Sequence, residues 1–183
     1  QQAASALAAS HKAGIIHRDL KPANIFLVPD HDMPAGVRVK ILDFGVAQLV
    51  ADQNSTSGRT RTGTTMGTPL YMSPEQCLDA KAVDHRADVY SLGVVAYQLL
   101  GNKLPFQANS LGQLVLKHRE DQPDLLEVDG ATVTDELATV VYKTLSLDPQ
   151  ARHEDMNELR EAMEEAVKGA GPELDKRLGK WAE

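Results

Sequence analysis

Cysteine is nearly absent from this chain, and with it the structures that cysteine supports. Cys77 is the only one, so the chain cannot form an internal disulfide. The six histidines are scattered, and no group of Cys and His residues has the spacing of metal ligands. These absences exclude a disulfide-stabilised fold and a zinc-binding module, and they predict a reducing, cytoplasmic compartment.

Long apolar runs and an excess of basic residues are also missing. No stretch approaches the roughly 18 consecutive apolar residues of a membrane span, so any membrane anchor of the parent protein would lie outside this segment. The 26 acidic and 19 basic residues give a formal net charge of -7, without runs of five or six like charges. This balance argues against a protein that binds nucleic acid or anionic membranes through bulk charge.

What is present fits one ordinary globular domain. Hydrophobic residues make up 42% of the 183 residues, enough to bury a core. Residues 1–12 are rich in alanine and leucine and predict a helix that is already under way and ends at Gly14. Because Gln1 is neither an initiator methionine nor a helix-start signal, we expect the chain to be a segment of a longer protein.

Three short apolar runs follow this helix, at residues 15–16, 24–28 and 37–42. Their length, and the alternation of apolar and charged residues in the third, predict small strands separated by loops. Residues 51–68 are dominated by Ser, Thr, Gly, Asn and Arg, with little to bury. They predict a long, mobile surface loop, and loops of that length inside compact domains are usually functional.

The second half of the chain has helical patterns. Residues 89–100 are apolar nearly all round, which predicts a buried central helix from about Asp88 to Leu100, closed by Gly101. Helical apolar spacing recurs downstream at residues 111–118, 135–145 (after a cap at Thr134) and 154–167.

Two motifs carry the chemistry. Residues 17–24 read HRDLKPAN and residues 43–45 read DFG, in the order and form of the catalytic loop and the D-F-G motif of protein kinases. The chain therefore resembles the eukaryotic-like serine/threonine kinases of bacteria over nearly its whole length. The resemblance implies an α+β fold: the mainly α-helical C-terminal lobe of a kinase over residues 1–168, with short β-hairpins beneath the catalytic loop, and a tail or linker over 169–183.

The resemblance also assigns roles within these motifs. Asp19 would accept the proton of the substrate hydroxyl, and Lys21 would contact the transferring phosphate of ATP. Asn24 and Asp43 would hold Mg²⁺ (or Mn²⁺) with oxygen ligands, and Gly45 would give the backbone freedom to change state. The Lys-Pro-x-Asn form is that of serine/threonine rather than tyrosine kinases.

A second block, residues 67–75 (GTPLYMSPE), resembles the end of the family's activation segment, G-T-x-x-Y-x-A-P-E. Ser73 replaces the usual alanine, which leaves the assignment intact. The resemblance implies that Thr68 hydrogen-bonds around the catalytic aspartate and lysine. It also implies that Glu75 pairs with a buried arginine, for which the sequence offers Arg152.

Three further positions are implied to be structural or regulatory. Asp88 begins the central helix and would brace the backbone of the catalytic loop; its alternative role, which can coexist, is to satisfy free amides at the start of its own helix. His17 and Phe44 lie within the two catalytic motifs.

Arg18, directly before the catalytic aspartate, is typical of kinases that are activated by phosphorylation in the activation segment, here residues 43–75. Thr64 is the favoured acceptor, with Thr62 and Thr65 close behind. The alternative is that this threonine-rich loop is merely solvated.

Parts of a complete kinase are missing from the sequence. It contains no G-x-G-x-x-G loop, and its only V-A-I-K look-alike, residues 37–40, lies on the wrong strand. We therefore expect these parts on an N-terminal lobe upstream, and expect the chain alone to have little or no kinase activity. The expected partners are that lobe, proteins with serine or threonine acceptors, and a second kinase chain for trans-autophosphorylation, but no nucleic acid.

Two alternatives stay open at this level. A small-molecule phosphotransferase of the aminoglycoside or choline kinase type shares an H-x-D-x-x-x-x-N loop, but normally lacks the Ser/Thr-rich loop and the S-P-E block. The chain could also be a non-catalytic docking module whose helical face binds proteins.

Overall fold

The computed structural model describes residues 1–44, 69–78, 83–128, 131–132 and 134–170. These contain six α-helices: α1 (Gln2–Lys12), α2 (Pro74–Leu78), α3 (Arg86–Gly101), α4 (Leu111–Glu120), α5 (Asp135–Thr144) and α6 (Met156–Ala170). Two antiparallel pairs of strands accompany them, β1 (Ile25–Pro29) with β2 (Val37–Ile41) and β3 (Glu127–Val128) with β4 (Ala131–Thr132). The predicted loop at 51–68 and most of the predicted tail lie outside the described residues.

The first helix ends where the sequence predicts. Gly14 has a φ of 76°, the left-handed conformation that closes many helices, and its amide bonds to the carbonyl of His11. The strand predicted at residues 15–16 is wrong. The amide of Ile15 bonds back to the carbonyl of Ser10, so it completes the helix end instead of pairing with another strand.

The β1–β2 hairpin follows directly from the loop that carries the first motif. Its register pairs Ile25 with Ile41, and these half-buried side chains contact the core. One further bond, from the Leu42 amide to the Asn24 carbonyl at 2.9 Å, extends the pairing past the strand ends. The hairpin thus brings the residues after β2 beside those before β1.

Helix α3 is the buried centre of the fold, as the sequence predicts. Tyr90, Val94 and Tyr97 are fully buried on it, and the cluster around them includes an apolar face of α5. The predicted closure by Gly101 is wrong, because Gly101 is the last helical residue and Asn102 takes the left-handed conformation, with φ 51°. Asparagine tolerates that conformation because its short polar side chain can bond locally.

Helices α5 and α6 complete the hydrophobic core of the described residues. Thr134 caps α5 by accepting a hydrogen bond from the Leu137 amide, as predicted. A second cluster joins α1 and α6 through Leu7, Met156 and Leu159, all buried. No helix in the described part of the chain combines the length and apolar character needed to cross a membrane.

Candidate active site

The 17–24 loop gathers three predicted site residues. The Lys21 ammonium lies 2.8 Å from Oδ2 of Asp19, and the Asn24 amide nitrogen donates to the Asp19 carbonyl at 2.8 Å. The same nitrogen lies 3.4 Å from Asp19 Oδ2. Asn24 is buried, whereas the Asp19 side chain is 41% exposed. The loop therefore presents a carboxylate to solvent while an ammonium and an amide hold it in place.

The orientation of the Asn24 amide leaves one atom available. Because its nitrogen faces the main chain of Asp19, its carbonyl oxygen points elsewhere, and it accepts no hydrogen bond from any residue in the described ranges. A buried asparagine with a free carbonyl oxygen is suited to bind a cation.

Asp43 and Phe44 of the second motif follow shortly after β2 and lie beside the 17–24 loop. The Nε2 atom of His17 lies 3.0 Å from the Leu42 carbonyl, and the ring of Phe44 packs against the His17 ring with centroids 4.7 Å apart. Asp43, between these contacts, is exposed and has a φ of 56°. A left-handed aspartate costs about 1–2 kcal/mol, so the contacts on both sides of Asp43 must hold this conformation.

Asp88 lies beneath the loop, fully buried at the start of α3. Its two carboxylate oxygens accept hydrogen bonds from the amides of His17 at 2.8 Å and Arg18 at 2.9 Å, which is the contact expected from the sequence. No side chain caps α3 at its N-cap residue, His85, within the described residues, although the Asp84 carboxylate accepts a hydrogen bond from the Arg86 amide at 2.8 Å.

His11 completes the surroundings of Asp88, and sequence reasoning missed it. Its Nε2 atom lies 2.7 Å from Oδ2 of Asp88. The two residues are 77 positions apart, and nothing in the α1 pattern marks His11 as different from its neighbours. Only the packing of α1 beside the start of α3 reveals the contact.

The predicted pair of Glu75 and Arg152 is present with both oxygens engaged. The guanidinium nitrogens lie 2.7 and 2.8 Å from the two carboxylate oxygens, and three backbone carbonyls accept its other bonds. Burial raises the pKa of Glu75, but the hydrogen bonds and the charge of Arg152 outweigh it, so the pKa lies below its usual value. The pair ties α2 to the loop before α6.

Arg152 also contacts a buried aromatic side chain, that of Tyr90. The Arg152 guanidinium lies 4.9 Å from the centroid of the Tyr90 ring, and the Tyr90 hydroxyl lies 2.9 Å from Nε2 of His118 on α4. Burial lowers the pKa of His118, and Arg152 adds to this against the opposing charge of Glu75, to about 4. Sequence reasoning did not identify His118.

Comparison with known proteins decides the family. The model of the protein kinase domain matches residues 1–166. The chain belongs to the protein kinase family. Similar curated proteins include the serine/threonine-protein kinases Pkn1 and pkn3 of Myxococcus xanthus, 41% and 39% identical over 91% and 82% of the chain. PknB of Mycolicibacterium smegmatis is 38% identical over 96% of it.

The kinase chain is short beside these relatives. The aligned regions make up 23% of Pkn1 and 27% of both pkn3 and PknB. The chain thus spans about a quarter of the length of the curated relatives that it matches. All three are named serine/threonine-protein kinases.

Beside the Asp19 carboxylate, the kinase chain has a cavity of about 540 Å³. Its walls combine Asp19 and Lys21 of the loop with apolar side chains from the segment before α2 and from the start of α4, among them Leu70, Met72 and Leu111.

Three predicted site residues lie outside the described residues: Gly45, Thr64 and Thr68. The roles expected of them, including phosphorylation of Thr64, stay predictions. Arg18 is described and half-buried, but the segment that would supply its anion is not.

Proposed function

We propose that this chain is the C-terminal lobe of a bacterial serine/threonine protein kinase. In the complete enzyme it would transfer the γ-phosphate of ATP to serine or threonine hydroxyls of proteins. The observation that carries the proposal is the cluster of Asp19, Lys21 and Asn24, joined to Asp43 by the hydrogen bond between Leu42 and Asn24. The names of the relatives support the same acceptor class.

Within this site Asp19 would accept the hydrogen bond of the substrate hydroxyl and take its proton. Its carboxylate is open to solvent and borders the cavity, so an acceptor side chain could reach it. Lys21 holds that carboxylate at 2.8 Å and has donors left for a phosphate oxygen. Positioning and electrostatic stabilisation of this kind provide most of the catalysis in phosphoryl transfer.

The residues present fit a magnesium ion. The amide oxygen of Asn24 accepts no hydrogen bond from the described residues, and Asp43 adds an exposed carboxylate. Oxygen atoms of this kind are the hard ligands that Mg²⁺ and Mn²⁺ prefer. When bound, the ion would neutralise negative charge on the phosphate oxygens. Asn24 and Asp43 are therefore our proposed metal ligands.

The proposal includes a separate N-terminal lobe. Phe26 and Leu42 are 47% and 45% exposed, and the Leu42 amide bonds to the carbonyl of Asn24. A nucleotide base and an upstream lobe would cover these two apolar side chains. Without them the chain lacks the glycine-rich loop that grips the phosphates.

Regulation and assembly follow as proposals of the same kind. Phosphorylation of Thr64 by a second kinase chain would supply an anion for Arg18. We favour a protein acceptor over a small-molecule acceptor because these relatives are named serine/threonine-protein kinases and because the sequence has the S-P-E block, which small-molecule phosphotransferases normally lack. A purely docking role gives no reason to keep Asp19, Asn24 and Asp43 together.

Calorimetry with Mg²⁺-ATP tests the lobe assignment. We expect no measurable binding to the 183-residue chain or to its Asp43→Ala variant, because the phosphates have no glycine-rich loop to bind them. Clear binding that is lost in Asp43→Ala would mean that the nucleotide site is complete without an upstream lobe.

Phosphotransfer tests the activity. In the full-length kinase we expect Asp19→Asn to reduce phosphorylation of a generic basic protein about 100-fold or more, the scale of general base catalysis. Asp32→Asn, in the exposed turn between β1 and β2, is the control and should keep the wild-type rate. Preferential phosphorylation of small alcohols by the same protein would contradict the proposed acceptor.

A further inference from the structure

Ser73 stands where the family's activation segment usually has alanine, and the structure gives the serine a partner. Ser73 is fully buried at the start of α2. Both its amide and its hydroxyl donate to Oε1 of Gln76, each at 3.1 Å. A buried hydroxyl needs such a partner, because leaving it without one costs about 1–3 kcal/mol.

These two bonds determine which way the Gln76 amide points. Since its oxygen accepts from Ser73, its nitrogen must face the opposite side. There Nε2 donates to the backbone carbonyl of Arg18 at 2.8 Å, 58 residues away in the chain. An alanine at position 73 would keep only the backbone donor and would orient the amide less firmly.

The Arg18 backbone is a place where such a bond matters. Its φ is 63°, the left-handed conformation, which costs a non-glycine residue about 1–2 kcal/mol and persists only where neighbours hold it. Asp88 holds its amide and Gln76 holds its carbonyl. The Arg18 carbonyl belongs to the peptide unit that ends in the Asp19 amide, so fixing it fixes the start of Asp19.

The bond also joins the loop to the core through α2. Gln76 follows Glu75, whose carboxylate is held by the buried Arg152. A displacement of α2 would therefore move the Arg18 carbonyl with it. We propose that Gln76, oriented by Ser73, is a positioning residue that sets the backbone of Asp19 for phosphoryl transfer and couples it to the end of the activation segment; this rests on the proposed kinase function.

Steady-state kinetics of the full-length kinase test the proposal. We expect Gln76→Met, which keeps the length of the side chain, to lower kcat about tenfold or more at an unchanged KM for ATP, because the position of Asp19 changes while nucleotide contacts do not. Ser73→Ala should give a smaller loss, and none in the Gln76→Met background, because the hydroxyl acts through the Gln76 amide.

Tyr142→Phe is the matched control. It removes a hydroxyl that accepts from the Leu126 amide and donates to the Asp124 carbonyl, and neither bond involves the 17–24 loop or α2. We expect it to lower the thermal midpoint without changing kcat. The proposal is overturned if Gln76→Met keeps kcat within twofold of wild type. It is also overturned if Tyr142→Phe lowers kcat as much as Gln76→Met does for the same loss of stability.

A readout on the 183-residue chain does not depend on activity. Gln76→Met should shift the backbone carbonyl ¹³C resonance of Arg18 and speed hydrogen exchange at the Asp19 amide, whereas Tyr142→Phe should leave both unchanged. If the full-length wild type has no Asp19-dependent activity, the proposed function fails and this readout alone decides whether Gln76 positions the loop. An unmoved Arg18 resonance in Gln76→Met would refute the contact.

Discussion

At the scale of single residues, the site depends on side chains that hold backbone groups. Asp88 accepts from two successive amides, and Gln76 donates to the carbonyl between them and Asp19. Arg152 donates to three carbonyls as well as to its carboxylate partner. Buried charges of this kind are tolerated because nearly every donor and acceptor is satisfied.

Removal of Arg152 should therefore be among the most damaging single changes. We expect Arg152→Met to lower the free energy of unfolding by about 3 kcal/mol or more, because it leaves Glu75 and three backbone carbonyls without their donor. Urea denaturation measures the change. Lys143→Met breaks the exposed pair with Glu158 and should cost less than about 1 kcal/mol; equal losses in the two variants would contradict the importance of burial.

At the scale of elements, α3 and α5 approach each other closely at Gly93 and Thr144. A Cβ atom placed on Gly93 would overlap with Oγ1 and Cβ of Thr144. Thr144 cannot turn its hydroxyl away freely, because it bonds to the Val141 carbonyl at 2.6 Å and is fully buried. Glycine at this position is therefore needed for contact between the helices rather than for backbone freedom.

Two glycine-to-alanine variants separate the cost of overpacking between helices from the stabilisation that alanine gives a helix. Gly93→Ala should destabilise the chain by about 1–3 kcal/mol through overpacking, although alanine favours helix. Gly112→Ala, in α4 with open space around its Cβ, should stabilise it by up to about 1 kcal/mol. Thermal or urea unfolding of both variants gives the comparison, and a stabilised Gly93→Ala would show that α3 and α5 are not packed this closely.

At the scale of the whole molecule, charge and burial make stability depend on pH. The lowered pKa of Glu75 contributes stability that is lost as pH falls through the folded value, below about 4.5. The lowered pKa of His118 changes the free energy of unfolding at higher pH than Glu75 does. On acidification the unfolded chain binds this proton near pH 6.5 and the folded chain only near 4, so stability falls between those values.

His118→Gln isolates the second effect. Wild type should lose about 2–3 kcal/mol more than the variant between pH 6.5 and 4, measured by urea unfolding at a series of pH values. The groups that face His118 are the Tyr90 hydroxyl, the Phe106 ring and the charges of Arg152 and Glu75. Parallel pH profiles for the two proteins would mean that His118 is accessible to protons in the fold.

How far the sequence predicts this protein differs from feature to feature. The 17–24 loop was predictable because its chemistry is contiguous: a carboxylate, an ammonium and an amide within six residues can meet without any help from distant parts of the chain. The central helix was predictable because an all-round apolar segment must be buried. The wrong strand at 15–16 and the wrong helix closure at Gly101 both lie at boundaries, where one backbone bond or one residue's φ settles the outcome.

The amino-acid sequence by itself thus indicated the family, the motifs and the helices, because these depend on residue types and their spacing over a few positions. The contacts of His11 with Asp88, of Gln76 with Arg18 and of Tyr90 with His118 join residues 77, 58 and 28 positions apart. No pattern within a single element encodes them. They exist because packing brings separate elements to hydrogen-bonding distance, and buried polar groups there must find partners.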